Sequence, residues 1–198
     1  GLGLAIMTEL PLVVVDVQRG GPSTGLPTKT EQSDLMQALY GRNGESPAVV
    51  LASSTPANCF DWAYMASKIT LEHNTPVILL SDGYLANGAE PWKIKSTKDM
   101  PEIRPNTANE GEEYQTYVRD EKTLARKLAL PGTKGLEHRL GGLEKEDVTG
   151  NVSYDADNHE KMVGIRSEKI KRIANLIPQQ EVFGKKEGDL LVVGWGGT

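Results

Sequence analysis

The chain has 198 residues, 25% of them charged, and a formal net charge of −5 at pH 7. This negative balance disfavours nucleic acid and anionic membrane surfaces as partners. The sequence contains no apolar run of the roughly 18 residues that a membrane-spanning helix needs, and no signal-peptide pattern. Its single cysteine, Cys59, excludes an internal disulfide and a cysteine-ligated cluster within the chain. We therefore expect a cytoplasmic protein.

Three short apolar runs in the first half of the chain predict strands, at residues 12–16, 48–52 and 77–80. A helical stub over residues 1–10 precedes the first run and ends before Pro11. Valine and leucine dominate these runs without alternating with polar residues. This pattern is typical of parallel strands that are buried on both faces.

Helical segments separate the predicted strands. One is predicted over residues 31–40 with Thr30 as its N-cap, and another from Pro56 to residue 73 with Thr55 as its N-cap. Strands that alternate with helices of this length pair in parallel through right-handed crossovers. The sequence therefore predicts an α/β fold with a partial parallel sheet.

The loop after the first strand, residues 17–30, is the candidate functional element. Ligands of open parallel sheets bind beyond the carboxyl ends of the strands. Arg19 is the first permanently charged side chain after the strand, and its guanidinium can bind a carboxylate or phosphate through two hydrogen bonds. Gly20, Gly21 and Gly25 allow a tight turn and a close approach to a ligand. The alternative is a glycine-rich turn whose arginine faces water.

A phosphate-binding P-loop does not fit the spacing of this loop. That motif requires glycine, four residues, and then Gly-Lys-Ser/Thr. Gly20 and Gly25 have the required separation, but Leu26 follows Gly25, and Lys29 and Thr30 come too late. The spacing therefore argues against a P-loop.

Residues 19–34, RGGPSTGLPTKTEQSD, and residues 38–45, ALYGRNGE, closely resemble the α subunit of 2-oxoacid:ferredoxin oxidoreductases, above all the 2-oxoglutarate type. Residues 7–12, 75–84 and 135–138 are similar to that family as well. The resemblance covers nearly the whole chain, and a match of this length is far more specific than a lone glycine pattern.

The resemblance implies a thiamine diphosphate-dependent enzyme that oxidatively decarboxylates a 2-oxoacid. Such enzymes transfer the acyl group to coenzyme A and pass electrons through iron–sulfur clusters to ferredoxin. In this family the α subunit faces the pyrimidine ring of the cofactor, whereas a partner β subunit holds the diphosphate, Mg²⁺ and an iron–sulfur cluster. The expected partners are therefore the β subunit, ferredoxin and a small 2-oxoacid, and we expect no metal ligands in this chain.

The resemblance also implies roles for loop residues. The arginine at the position of Arg19 binds the substrate carboxylate, and the threonine at the position of Thr28 lies near the reacting end of the cofactor; these two are the predicted catalytic residues. The other predicted substrate-binding residues shape the loop: Gly20, Gly21, Ser23 and Thr24.

Prolines and charges between residues 92 and 155 predict an extended connector, with a helical turn or two at residues 121–128. A helix is predicted over residues 157–177, where Asp157 and Glu160 resemble a capping box. Four of its basic residues are expected on a solvated face: Arg166, Lys169, Lys171 and Arg172.

Other side chains with catalytic potential have simpler roles. His73 is predicted to be a cation favoured at the end of its helix, and His138 to lie in a surface turn. Asp82 is either a ligand-contacting acid or a turn residue before Gly83. Cys59 is expected to be a small packed residue.

The resemblance divides the chain into three parts. Residues 1–94 correspond to the second half of a pyrimidine-type thiamine diphosphate-binding domain, residues 95–187 to a connector, and residues 188–198 to the first strand of a transketolase C-terminal-like domain. The Tyr-Pro-Ile-Thr-Pro-Ser/Thr motif and the cofactor-activating glutamate of the family have no counterpart here, so we expect an excised segment that is inactive alone. Two alternatives stay open: the same chemistry on pyruvate or branched-chain 2-oxoacids, and a non-catalytic assembly module.

Overall fold

The computed structural model describes residues 1–197, which form an α/β arrangement. The strands are β1 (Leu12–Gln18), β2 (Val49–Ala52) and β3 (Pro76–Asp82). The α-helices are α1 (Leu2–Met7), α2 (Leu35–Tyr40), α3 (Pro56–His73), α4 (Gly83–Asn87) and α5 (Ala156–Ile173). Two short 3₁₀ helices cover Thr97–Asp99 and Ala174–Leu176.

The three strands form one parallel sheet in the order β1-β3-β2. β1 is paired with β3 along its whole length, from Leu12 opposite Pro76 to Gln18 opposite Asp82. β3 is central and is buried along almost its entire length, because strands flank it on both sides and helices cover its faces. The predicted α/β fold with a parallel sheet is confirmed.

Apolar layers pack on the two faces of the sheet. One layer contains Val49, Leu51, Ala66, Ile69, Val77, Leu79 and Ile173. The other contains Ala38, Ile78 and Leu80. Alternate residues of β3 belong to alternate layers because successive side chains of a strand point to opposite faces.

β1 differs from the prediction of a strand buried on both faces. It is an edge strand in the described part of the chain, and Val15 and Val17 are 56% and 49% exposed. A valine-rich run favours burial on both faces, but that burial requires a neighbouring strand and a covering helix. Strand order, which the run does not encode, therefore decides the exposure of β1.

α2 is shorter than predicted. It begins at Leu35 and not at Glu31, and Thr30 is not its N-cap. The backbone N–H of Asp34 donates to the side-chain oxygen of Gln18 at 3.0 Å. This contact holds the residues before α2 in the loop, so they do not join the helix.

The N-caps of the two long helices were predicted with mixed success. The Thr55 hydroxyl accepts from the backbone N–H three residues later at 3.2 Å, which confirms Thr55 as the N-cap of α3. Asp155 caps α5 in the same manner at 2.8 Å. The capping box predicted at Asp157 and Glu160 is therefore wrong, because the helix begins one residue before Asp157.

Residues 92–155 contain no α-helix and no strand, but they pack against the rest of the chain. Isolated bridges such as the one between Tyr117 and Val148 connect distant parts of this segment. Tyr117 is fully buried, and its hydroxyl donates to the carbonyl of Met7 at 3.0 Å. The helical turn predicted at residues 121–128 is wrong, because this stretch forms a non-helical turn.

The predicted strand near the end of the described residues is not formed. The side chains of residues 190–193 are 75% to 84% exposed, and no strand is assigned to them. A strand requires a partner to pair its backbone groups. Thr198 lies outside the described residues, and the domain division at residue 188 stays a prediction. No helix within residues 1–197 combines the length and apolar character needed to cross a membrane.

Two of the four basic residues predicted on a solvated face of α5 are buried, so that prediction is wrong for them. Lys169 is 2% exposed and donates to the carboxylate of Glu9 at 2.8 Å and to the carbonyl of Asn74 at 3.0 Å. Arg166 donates two hydrogen bonds to Glu144, each of 3.1 Å. Cations can be buried on the inward-facing side of a helix when carboxylates and carbonyls bind them, because these partners compensate the charge.

Glu9 is the centre of a buried charge cluster that we call the Glu9 cluster, formed by Glu9, Arg119 and Lys169. Arg119 donates to both carboxylate oxygens of Glu9, at 2.5 and 2.9 Å. Burial alone would raise the pKa of the Glu9 carboxyl, but the two cations and their hydrogen bonds lower it to about 2. The cluster fastens the turn before β1 to α5 and to the segment that carries Arg119.

Candidate active-site loop

The loop between β1 and α2, residues 19–34, lies at the carboxyl edge of the sheet and folds back on itself. The backbone N–H of Leu26 donates to the carbonyl of Gly20 at 2.9 Å, and the N–H of Gly20 donates to the carbonyl of Lys29 at 2.9 Å. Gly25 has φ +45°, and a Cβ built there would lie 2.4 Å from the carbonyl oxygen of Gly20. Only glycine fits this close backbone approach.

Arg19 lies half-buried at the start of this loop. Its Nη1 donates to the carbonyl of Ser23 at 3.1 Å and also to the carbonyl of Thr24. Among the described residues no hydrogen bond engages its Nε or Nη2. The guanidinium therefore keeps one N–H edge for a ligand, and the loop carbonyls hold it in place.

Arg19 lies in a cleft of about 620 Å³ that also contains Gly21, Ser23 and three carboxylates. Those carboxylates belong to Asp16, Glu31 and Asp34. Partial burial and the charge of Asp34 raise the pKa of Asp16. Because Arg19 is the one cation among the cleft-lining side chains of residues 1–197, an anion that enters this cleft is attracted to Arg19 and repelled by the other charged walls.

Two amide side chains hold the base of the loop. Gln18 is 2% exposed; its Nε2 donates to the carbonyl of Ser81 at 3.0 Å, and its Oε1 accepts from the backbone N–H of Asp34. Gln32 donates to one carboxylate oxygen of Asp82 at 2.8 Å. The sequence analysis did not single out Gln18 or Gln32. For Gln18 a signal existed, because it is the polar residue that ends an apolar strand.

Asp82 has a structural role. Its second carboxylate oxygen accepts from the backbone N–H groups of Tyr84 and Leu85 at 2.8 and 3.0 Å, so it is the N-cap of α4. Together with the contact to Gln32 this occupies both oxygens of the carboxylate. Of the two alternatives left open by the sequence, the structure favours the turn residue.

The structure brings together only part of the predicted site. Arg19, Gly21 and Ser23 line the cleft, whereas Gly20 contributes backbone hydrogen bonds to the fold of the loop. Thr24 contributes one of the carbonyls that accept from Arg19. Thr28 is exposed in the turn closed by the hydrogen bond from Lys29 to Leu26 and does not line the cleft.

The histidines lie away from this loop. His73 is buried at the end of α3, and burial lowers its pKa, which disfavours the cation predicted at this position. Its Nδ1 has no hydrogen-bond partner within residues 1–197. His138 is exposed, as predicted for a surface residue, and packs against Tyr114 with 5.4 Å between ring centres. No group of three His, Cys, Asp or Glu side chains in the described residues could hold a metal ion.

The fold and the loop define an α/β domain with a parallel sheet and an arginine-containing ligand cleft at its carboxyl edge. The family described as "pyruvate flavodoxin/ferredoxin oxidoreductase, thiamine diP-bdg" matches residues 1–157. The chain belongs to this family. The family predicted from the loop residues is thereby confirmed.

Two curated relatives and one solved structure illustrate the similarity. The 2-oxoglutarate oxidoreductase subunit KorA of Mycobacterium tuberculosis is 56% identical over 198 residues, which are 100% of this chain and 30% of that protein. The 2-oxoglutarate synthase subunit KorA of Methanothermobacter marburgensis is 31% identical over 196 residues, 98% of this chain and 51% of that protein.

The solved structure is a 2-oxoglutarate:ferredoxin oxidoreductase from Magnetococcus marinus with 2-oxoglutarate, coenzyme A and succinyl-CoA bound. It superimposes on this chain with a TM-score of 0.82 and 37% sequence identity. The matched part is 93% of this chain and 32% of the solved chain. The chain therefore spans about a third to a half of the length of these proteins.

Proposed function

We propose that this chain is part of the α subunit of a 2-oxoglutarate:ferredoxin oxidoreductase. The complete enzyme converts a 2-oxoacid and coenzyme A into an acyl-CoA and carbon dioxide and passes two electrons to ferredoxin. The chain alone is inactive in this proposal, because a β subunit contributes the rest of the catalytic centre. The observation that supports it is the Arg19 guanidinium, held at the carboxyl edge of the sheet with one N–H edge available.

Arg19 binds the carboxylate of the 2-oxoacid in this proposal. Its Nε and Nη2 form the planar pair of donors that matches two carboxylate oxygens. The loop carbonyls of Ser23 and Thr24 position the guanidinium before the substrate arrives, so less conformational freedom is lost on binding. A fixed carboxylate also orients the neighbouring carbonyl carbon for reaction.

The cleft suits the uncharged pyrimidine ring of thiamine diphosphate better than it suits the diphosphate group. A diphosphate requires cations or a cluster of backbone N–H donors, and the cleft contains one arginine and three carboxylates. We therefore assign the diphosphate, Mg²⁺ and an iron–sulfur cluster to the partner subunit and the pyrimidine ring to this domain. When bound, the cofactor supplies a nucleophilic carbon and accepts the electron pair left by decarboxylation.

The choice of 2-oxoglutarate is supported by similarity and not by Arg19. Every 2-oxoacid has the carboxylate that Arg19 would bind, so the guanidinium does not distinguish among them. The M. tuberculosis relative is named for 2-oxoglutarate, and the M. marinus enzyme holds 2-oxoglutarate in its structure. The finer domain division, with residues 1–94 in a pyrimidine-type domain, residues 95–187 as connector and residues 188–198 opening a transketolase C-terminal-like domain, belongs to the same proposal.

Anaerobic turnover tests this proposal. The full-length α subunit is produced together with its β subunit, and reduction of ferredoxin is followed with coenzyme A and 2-oxoglutarate, pyruvate or a branched-chain 2-oxoacid. We expect the highest kcat/KM with 2-oxoglutarate. A preference for another 2-oxoacid would change the substrate but keep the reaction. Absence of coenzyme A-dependent reduction with all of them would support a non-catalytic assembly module.

Thr28 provides a separate prediction. We expect Thr28→Val to lower kcat by about tenfold or more, because in this proposal the exposed Thr28 hydroxyl lies near the reacting end of the cofactor in the assembled enzyme. Thr28→Ser, which keeps the hydroxyl, is expected to retain most activity. The measurement is kcat of the assembled enzyme, with the exposed Thr97→Val as the matched control. Equal kcat values for Thr28→Val and the control would contradict a catalytic role.

A further inference from the structure

Gln18 is a buried polar residue that the proposed chemistry does not use. It ends β1, directly precedes Arg19 and is 2% exposed. A buried amide is costly unless its donors and acceptor are hydrogen-bonded. Both ends of the Gln18 side chain are bonded: Nε2 donates to the carbonyl of Ser81 at 3.0 Å, and Oε1 accepts from the N–H of Asp34 at 3.0 Å.

These two hydrogen bonds join three segments of the chain at one point. Ser81 lies near the carboxyl end of β3, and Asp34 is the residue before α2. The Arg19 loop therefore leaves the sheet next to Gln18 and returns to the same side chain. Closing a loop of this length costs conformational entropy, which the amide of Gln18 offsets with two hydrogen bonds at a buried position.

The same hydrogen bonds hold the two walls of the cleft together where they meet the sheet. Arg19 lies on the outgoing side of the loop, whereas Ser33 and Asp34 line the cleft on the returning side. The contact between Gln18 and Asp34 keeps these two sides together. Other hydrogen bonds join the two sides farther from the sheet, from the N–H of Gly20 to the carbonyl of Lys29 and from the N–H of Gly21 to the carboxylate of Glu31. Gln18 makes its contact at the base of the loop, and it is the side chain that also bonds to β3 there through the carbonyl of Ser81.

We propose that Gln18 is the positioning residue for Arg19: it holds both ends of the loop on the sheet so that the guanidinium meets the carboxylate of a 2-oxoacid substrate. Gln18 acts through the loop and does not touch the substrate. This inference rests on the proposed function of Arg19 as the carboxylate-binding residue.

Two substitutions in the full-length α subunit, assembled with its β subunit, test this inference. Gln18→Met keeps the length of the side chain and removes both hydrogen bonds. We expect a rise of about tenfold or more in KM for 2-oxoglutarate, a smaller change in kcat, and a KM for coenzyme A within about twofold of wild type. The matched control is Gln115→Met, at an exposed position.

Gln18→Glu gives a second readout that simple loss of packing does not produce. Its carboxylate can accept from Asp34, but when ionised it places an oxygen against the carbonyl of Ser81. When protonated, the same group donates to that carbonyl and restores the wild-type pattern. We expect the KM of this variant for 2-oxoglutarate, relative to wild type at each pH, to fall toward one as the pH is lowered.

The outcomes separate this inference from the function on which it rests. Wild-type turnover that depends on Arg19, with an unchanged KM in Gln18→Met, overturns the role of Gln18 and leaves the proposed function intact. Wild-type enzyme without turnover on any 2-oxoacid overturns both. If Gln18→Met does not assemble, Gln18→Glu decides the question, and a KM ratio that stays well above one and does not change with pH overturns the inference.

Discussion

Replacing Arg19 with alanine is expected to lower kcat/KM for the 2-oxoacid by about 100-fold or more, which corresponds to about 2.7 kcal/mol of lost transition-state stabilisation. Arg19 is the one cation among the described side chains that line the cleft, and three carboxylates share that cleft. Truncation therefore leaves the substrate carboxylate without its attractive partner and next to like charges. Truncation of one partner in a desolvated charge pair costs roughly 2–5 kcal/mol.

The measurement is steady-state turnover of the assembled full-length enzyme, with two companion variants. Arg19→Lys keeps the charge but loses the planar pair of donors, so we expect an intermediate kcat/KM. Arg104→Ala is the matched control, because the Arg104 side chain is 79% exposed in its pair with Glu102. Turnover of Arg19→Ala equal to that of this control would make Arg19 an ordinary surface residue and remove the basis of the site assignment.

Removal of the negative charge from the Glu9 cluster is expected to destabilise the domain strongly. In Glu9→Gln, the buried cations Arg119 and Lys169 would lose the carboxylate that they share and would face each other. Breaking a buried ion pair by removing one partner costs about 3–5 kcal/mol, because the remaining charge is desolvated and uncompensated. The measurement is the urea midpoint of the full-length subunit, with hydrogen exchange of the β1 and α5 amides to locate the loss.

The matched control for Glu9→Gln is Glu102→Gln, which removes a carboxylate from an exposed ion pair. Exposed pairs contribute little because water screens them, so the midpoint of this control is expected to stay at the wild-type value. If Glu9→Gln shows the wild-type midpoint and the wild-type exchange pattern, the cluster does not stabilise the domain.

The pH dependence of stability is expected to follow from the same carboxyl group. The pKa of Glu9 is about 2 in the folded chain and 4.5 as an unperturbed group, so the folded state binds its proton less tightly than the unfolded state. Its contribution is fully present above pH 4.5, declines as the pH falls, and is lost below about pH 2. The pKa difference corresponds to about 3 kcal/mol. Denaturant titrations between pH 7 and pH 2 measure this decline, which Glu9→Gln should lack; equal declines would contradict the assignment.

Local sequence features were sufficient for the three strands and the two long helices, α3 and α5. The run from Val77 to Leu80 is apolar throughout, and in the structure it is the central strand. Thr55 followed by Pro56 marks the start of α3, because a hydroxyl at the N-cap and a proline in the first turn satisfy or remove unpaired N–H groups. The loop sequence around Arg19 was specific enough to indicate the family.

The exposure of β1 and the length of α2 depend on contacts between distant segments. Val15 belongs to a run typical of a strand buried on both faces, but β1 lies at an edge of the described sheet. α2 begins late because Gln18, 16 residues before Asp34, accepts from the N–H of that residue. Neither effect is visible in residue periodicity, which reports only on neighbours along the chain.

By itself, the sequence determined the class of fold, the parallel pairing of its strands and the loop that carries Arg19. Only the tertiary structure decided which charged residues are buried. Lys169 looks like one of several basic residues on a solvated helix, yet it pairs with Glu9 from 160 positions earlier in the chain. The physical reason is the distance along the chain over which each effect acts. Periodicity and capping act over a few residues, whereas the desolvation of a charge depends on every segment that packs around it.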